Sequence, residues 1–153
     1  MQYDSRIQCH MYPGMSAVSI NLVDWKEKQA EIVFVRTQVF VREQKVPVEI
    51  EMDDRDAVCQ HVLAYDQKHN PVGTGRIDAG GKIGRMAVLP LYRKKGIGGQ
   101  ILQTLIQYGR KNRIQQFYLS AQLHAVGFYE KYGFTPYGEP FEEAGIPHIM
   151  MKS

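Results

Sequence analysis

A chain of 153 residues, 44% hydrophobic and 23% charged, has the size and composition of one globular domain. No apolar run approaches the ~20 residues that a bilayer span needs, and the opening MQYDSRIQCHMYPG lacks the basic-then-apolar pattern of a secretory signal, so a cytoplasmic protein is expected rather than a membrane or exported one. The net charge is only +3, but residues 79–129 hold no Asp or Glu while acids crowd into 43–56 and 139–143, a separation that suits an anionic ligand meeting a cationic one.

In chain order, residues 1–17 read as an irregular N-terminal extension and 18–153 as one domain. Apolar residues recur densely over 25–44. Ile32, Val35 and Val39 fit a helix, yet 32–35 and 39–41 could also be strands, and periodicity leaves both open. Residues 45–56, polar and containing Pro47, read as a loop. Strands are expected at 61–65, 72–77 and 83–88, antiparallel because their connections are short, with Gly80-Gly81 marking a hairpin. Over 98–109, Ile101, Leu102, Leu105 and Ile106 share one face, which predicts a helix buried on one side, with Arg110 and Lys111 suiting its C-terminus. A strand at 117–120 follows this crossover and should run parallel to 83–88. A short helix at 124–132 stops at Gly133, and strands at 134–137 and 148–151 complete a mixed α/β order. Cys9 and Cys59 lie far apart, without a neighbour at metal-ligand spacing, and read as free thiols of a reducing compartment; no metal is expected.

Between the third strand and the long helix stands VLPLYRKKGIGG, residues 88–99. Glycines let the backbone approach a ligand and turn its N–H groups inward, and a helix N-terminus adds about half a positive charge, so the segment is built to hold a phosphate or pyrophosphate. Arg93, Lys94 and Lys95 add countercharge. A Walker A loop is excluded because Gln100 follows Gly98-Gly99 where Lys-Ser/Thr is required. A dinucleotide fingerprint is excluded because position 101 is Ile and the segment follows an antiparallel run.

The same segment, with Arg93-x-x-Gly96-x-Gly98 after a strand and a Pro turn, resembles the GNAT superfamily of acyl-CoA-dependent N-acetyltransferases. A second stretch, Gln122-x-x-Ala125-x-x-x-Tyr129-x-x-x-Gly133-Phe134, is similar to another signature of that family, with Gln122 where many members carry Asn. The resemblance covers roughly residue 25 onward, and 39–47 and 142–148 resemble a bacterial subgroup of unassigned substrate. It implies a sheet whose parallel strands splay to admit acetyl-CoA. Met86, Ala87 and Val88 would meet the pantetheine arm. Arg93, Lys94, Lys95, Gly96, Ile97, Gly98 and Gly99 would surround the pyrophosphate. Gln122 and Tyr129 would sit near the thioester.

The activity so implied is acetyl transfer to a primary amine of a small molecule or peptide, by direct attack in a ternary complex. The backbone N–H of Val88 would serve the oxyanion, and Tyr129, with an ordinary phenol pKa, the leaving thiolate. Candidate bases are Glu49, Glu51, Asp53, Asp54, His61, His124, Glu142, Glu143 and His148, with Glu142 or Glu143 preferred and a water chain left open. The acidic segments favour a cationic acceptor. A non-catalytic acyl-CoA-binding or sensing module is the alternative. Nucleic-acid and membrane partners are not expected, and a homodimer through the C-terminal strands is admitted.

Overall fold

Strand β3 (Gln60–Tyr65) is buried at five of its six positions, where a strand with one wet face would alternate. Its side chains go both ways. Val62 and Ala64 join a core with Ile97, Ile101, Leu102 and Leu105, while Leu63 and Tyr65 pack with Ile32. The sheet is therefore covered on both faces. The computed structural model describes residues 8–10 and 18–153. Besides β3 the strands are β1 (Gln8–His10), β2 (Val18–Val23), β4 (Pro71–Ile77), β5 (Lys82–Val88), β6 (Tyr118–Gln122), β7 (Thr135–Glu143) and β8 (Ile146–Lys152), in the sheet order β1-β2-β3-β4-β5-β6-β8-β7. Every described neighbour pair is antiparallel except β5–β6. The helices are α1 (Trp25–Arg36), α2 (Val48–Glu51), α3 (Ile97–Lys111) and α4 (Val126–Glu130).

The expected mixed α/β order, with its antiparallel half and a strand–helix–strand parallel pair, is present. Of residues 1–17, expected to be irregular, Gln8–His10 instead pair with Val18–Ile20, and the others lie outside the described residues. The ambiguity over 25–44 resolves as helix. Asp24 caps α1 by accepting from the Glu27 N–H at 3.3 Å, and Ile32 and Val35 are fully buried. The helix continues as a π-helical segment, Thr37–Glu43, with Val39 on the same buried side and the Gln44 N–H reaching back to the Val39 carbonyl.

Residues 45–56, expected as a loop, hold α2 and lead into a 3₁₀ turn, Asp56–Val58. A charge cluster fixes them. Arg36, fully buried, donates to Glu51 and, at 2.7 Å, to Asp56. Arg76 on β4 binds Asp53 and Asp56, and Arg85 on β5 binds Glu51 and Asp53. Three guanidinium groups thus face three carboxylates, tying α1 and the 51–56 segment to the sheet. The hydrogen bonds from Arg76 hold Asp53 well below the ordinary carboxylate range.

Two elements differ from expectation for a visible reason. β2 is short and precedes the dense apolar stretch, so its buried Val18 and Ile20 were masked by their surroundings. β7 is more than twice its expected length because its sequence, TPYGEPFEE, is mostly exposed and carries no alternation; a register shift between Tyr137 and Phe141 accommodates Gly138 at φ +75°.

Removing Arg36 leaves Glu51 and Asp56 buried with reduced compensation. Arg36→Met is expected to cost about 3–5 kcal/mol, measured as a shifted urea midpoint with an unchanged slope.

Candidate active site

The β5–β6 ladder lasts for two residue pairs, Lys82↔Tyr118 and Ile83↔Leu119. Beyond them β5 bulges: Arg85 and Met86 stand against Gly75 alone, with Arg85 at φ +50°. The strands part, and a cleft of about 980 Å³ opens between them. The Leu89 N–H bonds the Val72 carbonyl on β4 at 2.9 Å. Successive N–H groups alternate edges along a strand, so that of Val88 points away from β4, into the gap.

Among the residues singled out from the sequence, the cleft is lined by Met86, Ala87, Val88, Arg93, Gln122 and Tyr129 and, of the candidate bases, by Glu51, Asp53, His124, Glu143 and His148. Lys94, Lys95, Gly96, Ile97, Gly98 and Gly99 lie outside its lining; of these Gly98 stands against it, since a Cβ there would be 3.9 Å from Val88 Cγ2. Gly96 caps α3 at φ +82°, a left-handed conformation that suits glycine. Gly99 is glycine for a different reason: a Cβ there would stand 1.9 Å from the Tyr132 hydroxyl, so α4 and the turn after it lie directly on the first turn of α3. The amides of Ile97, Gly98 and Gly99 have no carbonyl one turn back, while the Gln100 N–H bonds the Gly96 carbonyl at 3.1 Å.

Arg93, expected at the pyrophosphate, has protein partners here. Its guanidinium is met by Glu43 at 2.6 and 2.7 Å and by the Val88 carbonyl at 2.8 Å, and its N–H goes to Pro90. It braces the strand end against the π-helical segment, leaving Lys94 and Lys95 as the cations of the loop. Lys95 stands 5.6 Å over the Tyr92 ring.

Tyr129 is half-buried, with edge contacts to Phe128 and Phe134, and its hydroxyl lies 3.9 Å from Met86 Sδ. Burial pushes the phenol up to about 12, which corrects the ordinary value expected from sequence. It stays a protonated donor throughout the neutral range. Gln122 exchanges two hydrogen bonds with Gln44, at 2.8 and 3.2 Å, joining the end of β6 to the end of the π-helical segment. Ser120, two residues earlier in the same lining, has a buried hydroxyl with no described partner.

The candidate bases separate. His61 is fully buried, bonded to the Asp56 carbonyl and stacked on Trp25, and does not line the cleft. Glu49 and Asp54 are exposed outside it. Glu51 and Asp53 line it, but their charges are matched by arginines. Glu142 is corrected: neighbouring residues on a strand face opposite ways, and Glu143, not Glu142, lines the cleft. His124 is exposed at the rim. His148 is buried, with Nδ1 2.6 Å from the Ile146 carbonyl and Nε2 3.9 Å from Glu143. Cys59 also lines the cleft as a free thiol, and burial raises its pKa, favouring the unreactive protonated form.

Sequence reasoning missed Glu43, Gln44, Arg76, Arg85 and Ser120 as lining residues. The available signal was the spacing of Ser120 and Gln122 on one strand face and an arginine, Arg76, inside the apolar run of β4. Among the described residues no group of three or more His, Cys, Asp or Glu is arranged to hold a metal ion, and no helix is long and apolar enough to cross a membrane.

Comparison with known proteins gives this geometry its setting. Residues 26–153 match the family model described as "Acetyltransferase (GNAT) domain". The chain is 39% identical over 130 residues to the uncharacterized N-acetyltransferase YjcF of Bacillus subtilis (strain 168), covering 82% of this chain and 92% of that protein. Among solved structures it resembles an acyl-CoA N-acyltransferase from Pseudomonas aeruginosa, with TM-score 0.78, 28% identity and coverage of 88% and 98%. Escherichia coli ElaA superposes with TM-score 0.78 at 27% identity and the same coverage. A family model spanning most of the chain, acting on a sheet that splays beside a glycine-opened helix, establishes that this protein is an acyltransferase of the GNAT superfamily.

Proposed function

We propose that the protein moves an acetyl group from acetyl-CoA to a primary amine of a small molecule or peptide, by direct attack in a ternary complex in the cytoplasm. The observation that carries this reading is the two-pair β5–β6 ladder, which leaves the edge of β5 from Met86 to Val88 open beside the start of α3. An extended pantetheine amide can pair with that edge as a strand would. Lys94, Lys95 and the amides of Gly96, Ile97, Gly98 and Gly99 would hold the pyrophosphate.

The chemistry assigned to this chain follows. The inward N–H of Val88 donates to the thioester oxygen as negative charge develops there. Tyr129 donates a hydrogen bond to the departing sulfur. Its phenol, at about 12, is far less acidic than an alkyl thiol at ~8.5, so it stabilises the thiolate without surrendering its proton. The protonated Cys59 argues against a covalent acyl-enzyme and favours direct attack. The cationic acceptor expected from the acidic segments has narrower support, because Glu51 and Asp53 are already balanced; the support that stands is Glu143.

Acetyl-CoA at 100 times its Kd is expected to add about 2.7 kcal/mol of stability, seen as a raised melting temperature; no shift at millimolar ligand counts against the assignment. Gly98→Asp should fold, since its Cβ would sit 3.4 Å from Phe128, yet lose acetyl-CoA binding in calorimetry because a carboxylate enters the cradle. Tyr129→Phe should lower kcat about 10- to 100-fold, the worth of one charge-assisted hydrogen bond, while changing acetyl-CoA affinity less than about threefold.

A further inference from the structure

We infer that His148 is the general base of the acyl transfer, with Nε2 as the proton acceptor and Glu143 as its electrostatic partner; this rests on the acetyl-transfer reading above. His148 is paired with Gln122 across β8 and β6, and Glu143 reaches the same cleft from β7. The contact between Nδ1 and the Ile146 carbonyl, 2.6 Å, fixes the tautomer. A carbonyl oxygen can only accept, so Nδ1 carries the hydrogen, and in the neutral ring Nε2 holds the lone pair. Phe141 stacks at 5.9 Å and holds the ring plane.

Glu143 stands 3.9 Å from Nε2, too far to occupy the lone pair by a hydrogen bond, and its carboxylate lies beside the position where Nε2 takes up a proton. The neighbouring β6 positions, Gln122 and Ser120, are neutral. From the opposite wall Arg85 faces the cleft, with Glu51 and Asp53 against it. Glu143 itself is the weaker candidate: its side chain is half exposed, whereas the His148 ring is buried and held by the Ile146 carbonyl.

The step balances as follows. Nε2 takes one proton from the acceptor ammonium, freeing the nitrogen lone pair. That pair attacks the thioester carbon, the C–N bond forms, and the C–S bond breaks with its electrons leaving on sulfur. The nitrogen sheds its second proton to solvent, and the thiolate, hydrogen-bonded by Tyr129, takes a proton from solvent. His148 returns its own proton to solvent before the next turnover.

The test compares two probes of matched shape, n-butylamine and O-propylhydroxylamine. The first is protonated at pH 7 and needs a base; the second is already unprotonated. His148→Asn keeps an N–H near the Nδ1 position for the Ile146 carbonyl and removes Nε2. The expected result at pH 7 is a loss of about 100-fold with n-butylamine, less than about threefold with O-propylhydroxylamine, and unchanged acetyl-CoA affinity by calorimetry. Equal losses on both probes, or no loss on either, overturn the assignment. So does a wild-type enzyme that acetylates O-propylhydroxylamine but not n-butylamine. Wild type that binds acetyl-CoA and acetylates neither defeats the small-amine transfer reading, and the base with it. Independently of any variant, ¹⁵N spectra of the wild-type protein should show His148 as the Nδ1–H tautomer; an Nε2–H tautomer overturns the inference.

Discussion

A parallel strand pair that stops after two residue pairs leaves backbone donors and acceptors without a strand to meet them, and unpaired backbone groups are costly wherever water is excluded. The site depends on that constraint. β5 cannot follow β6 because the bulge at Arg85 turns it, and the bulge is stabilised from below: Arg85 is gripped by Glu51 and Asp53, which Arg36 and Arg76 grip in turn. The open edge is thus held in place by a balanced set of charges on one face of the sheet, while α3 delivers its amide-rich start on the other.

This arrangement divides labour between the faces. The α3 face provides aliphatic burial and a positive helix end, both indifferent to the identity of the acceptor. The opposite face, with its paired ions, Ser120, Gln122 and His148, is polar and individually built. Arg93 belongs to both, since by joining Glu43 to the Val88 carbonyl it ties the π-helical segment to the end of β5.

Legibility in the sequence followed the range of the interactions. The strand, the glycine turn and α3 are set by neighbours a few residues apart, and their outline was readable, as was the parallel return at β6. The signature positions Val88, Gln122 and Tyr129 were readable too, and the cleft brings them together. The partners of Arg93 and Arg36 stand 50 and 15–20 residues away, so a string of charges could be read as a cationic loop and an acidic loop but not as matched pairs. The perturbed phenol of Tyr129 depends on surroundings that assemble only in three dimensions. Glu142 and Glu143 looked equivalent because the strand that separates them to opposite faces is too polar and exposed to announce itself.

The interleaving of the final hairpin has a consequence for the order of assembly. β8 is made after β7 yet lies inside it, between β7 and β6. During vectorial synthesis β7 therefore has no place on the sheet until its successor arrives, and the wall that carries Glu143 and His148 must close last. Because Met151 of β8 shares a core with Ile101, Leu102 and Leu105 of α3, the arrival of that last strand also completes the burial of the long helix on the other side of the sheet.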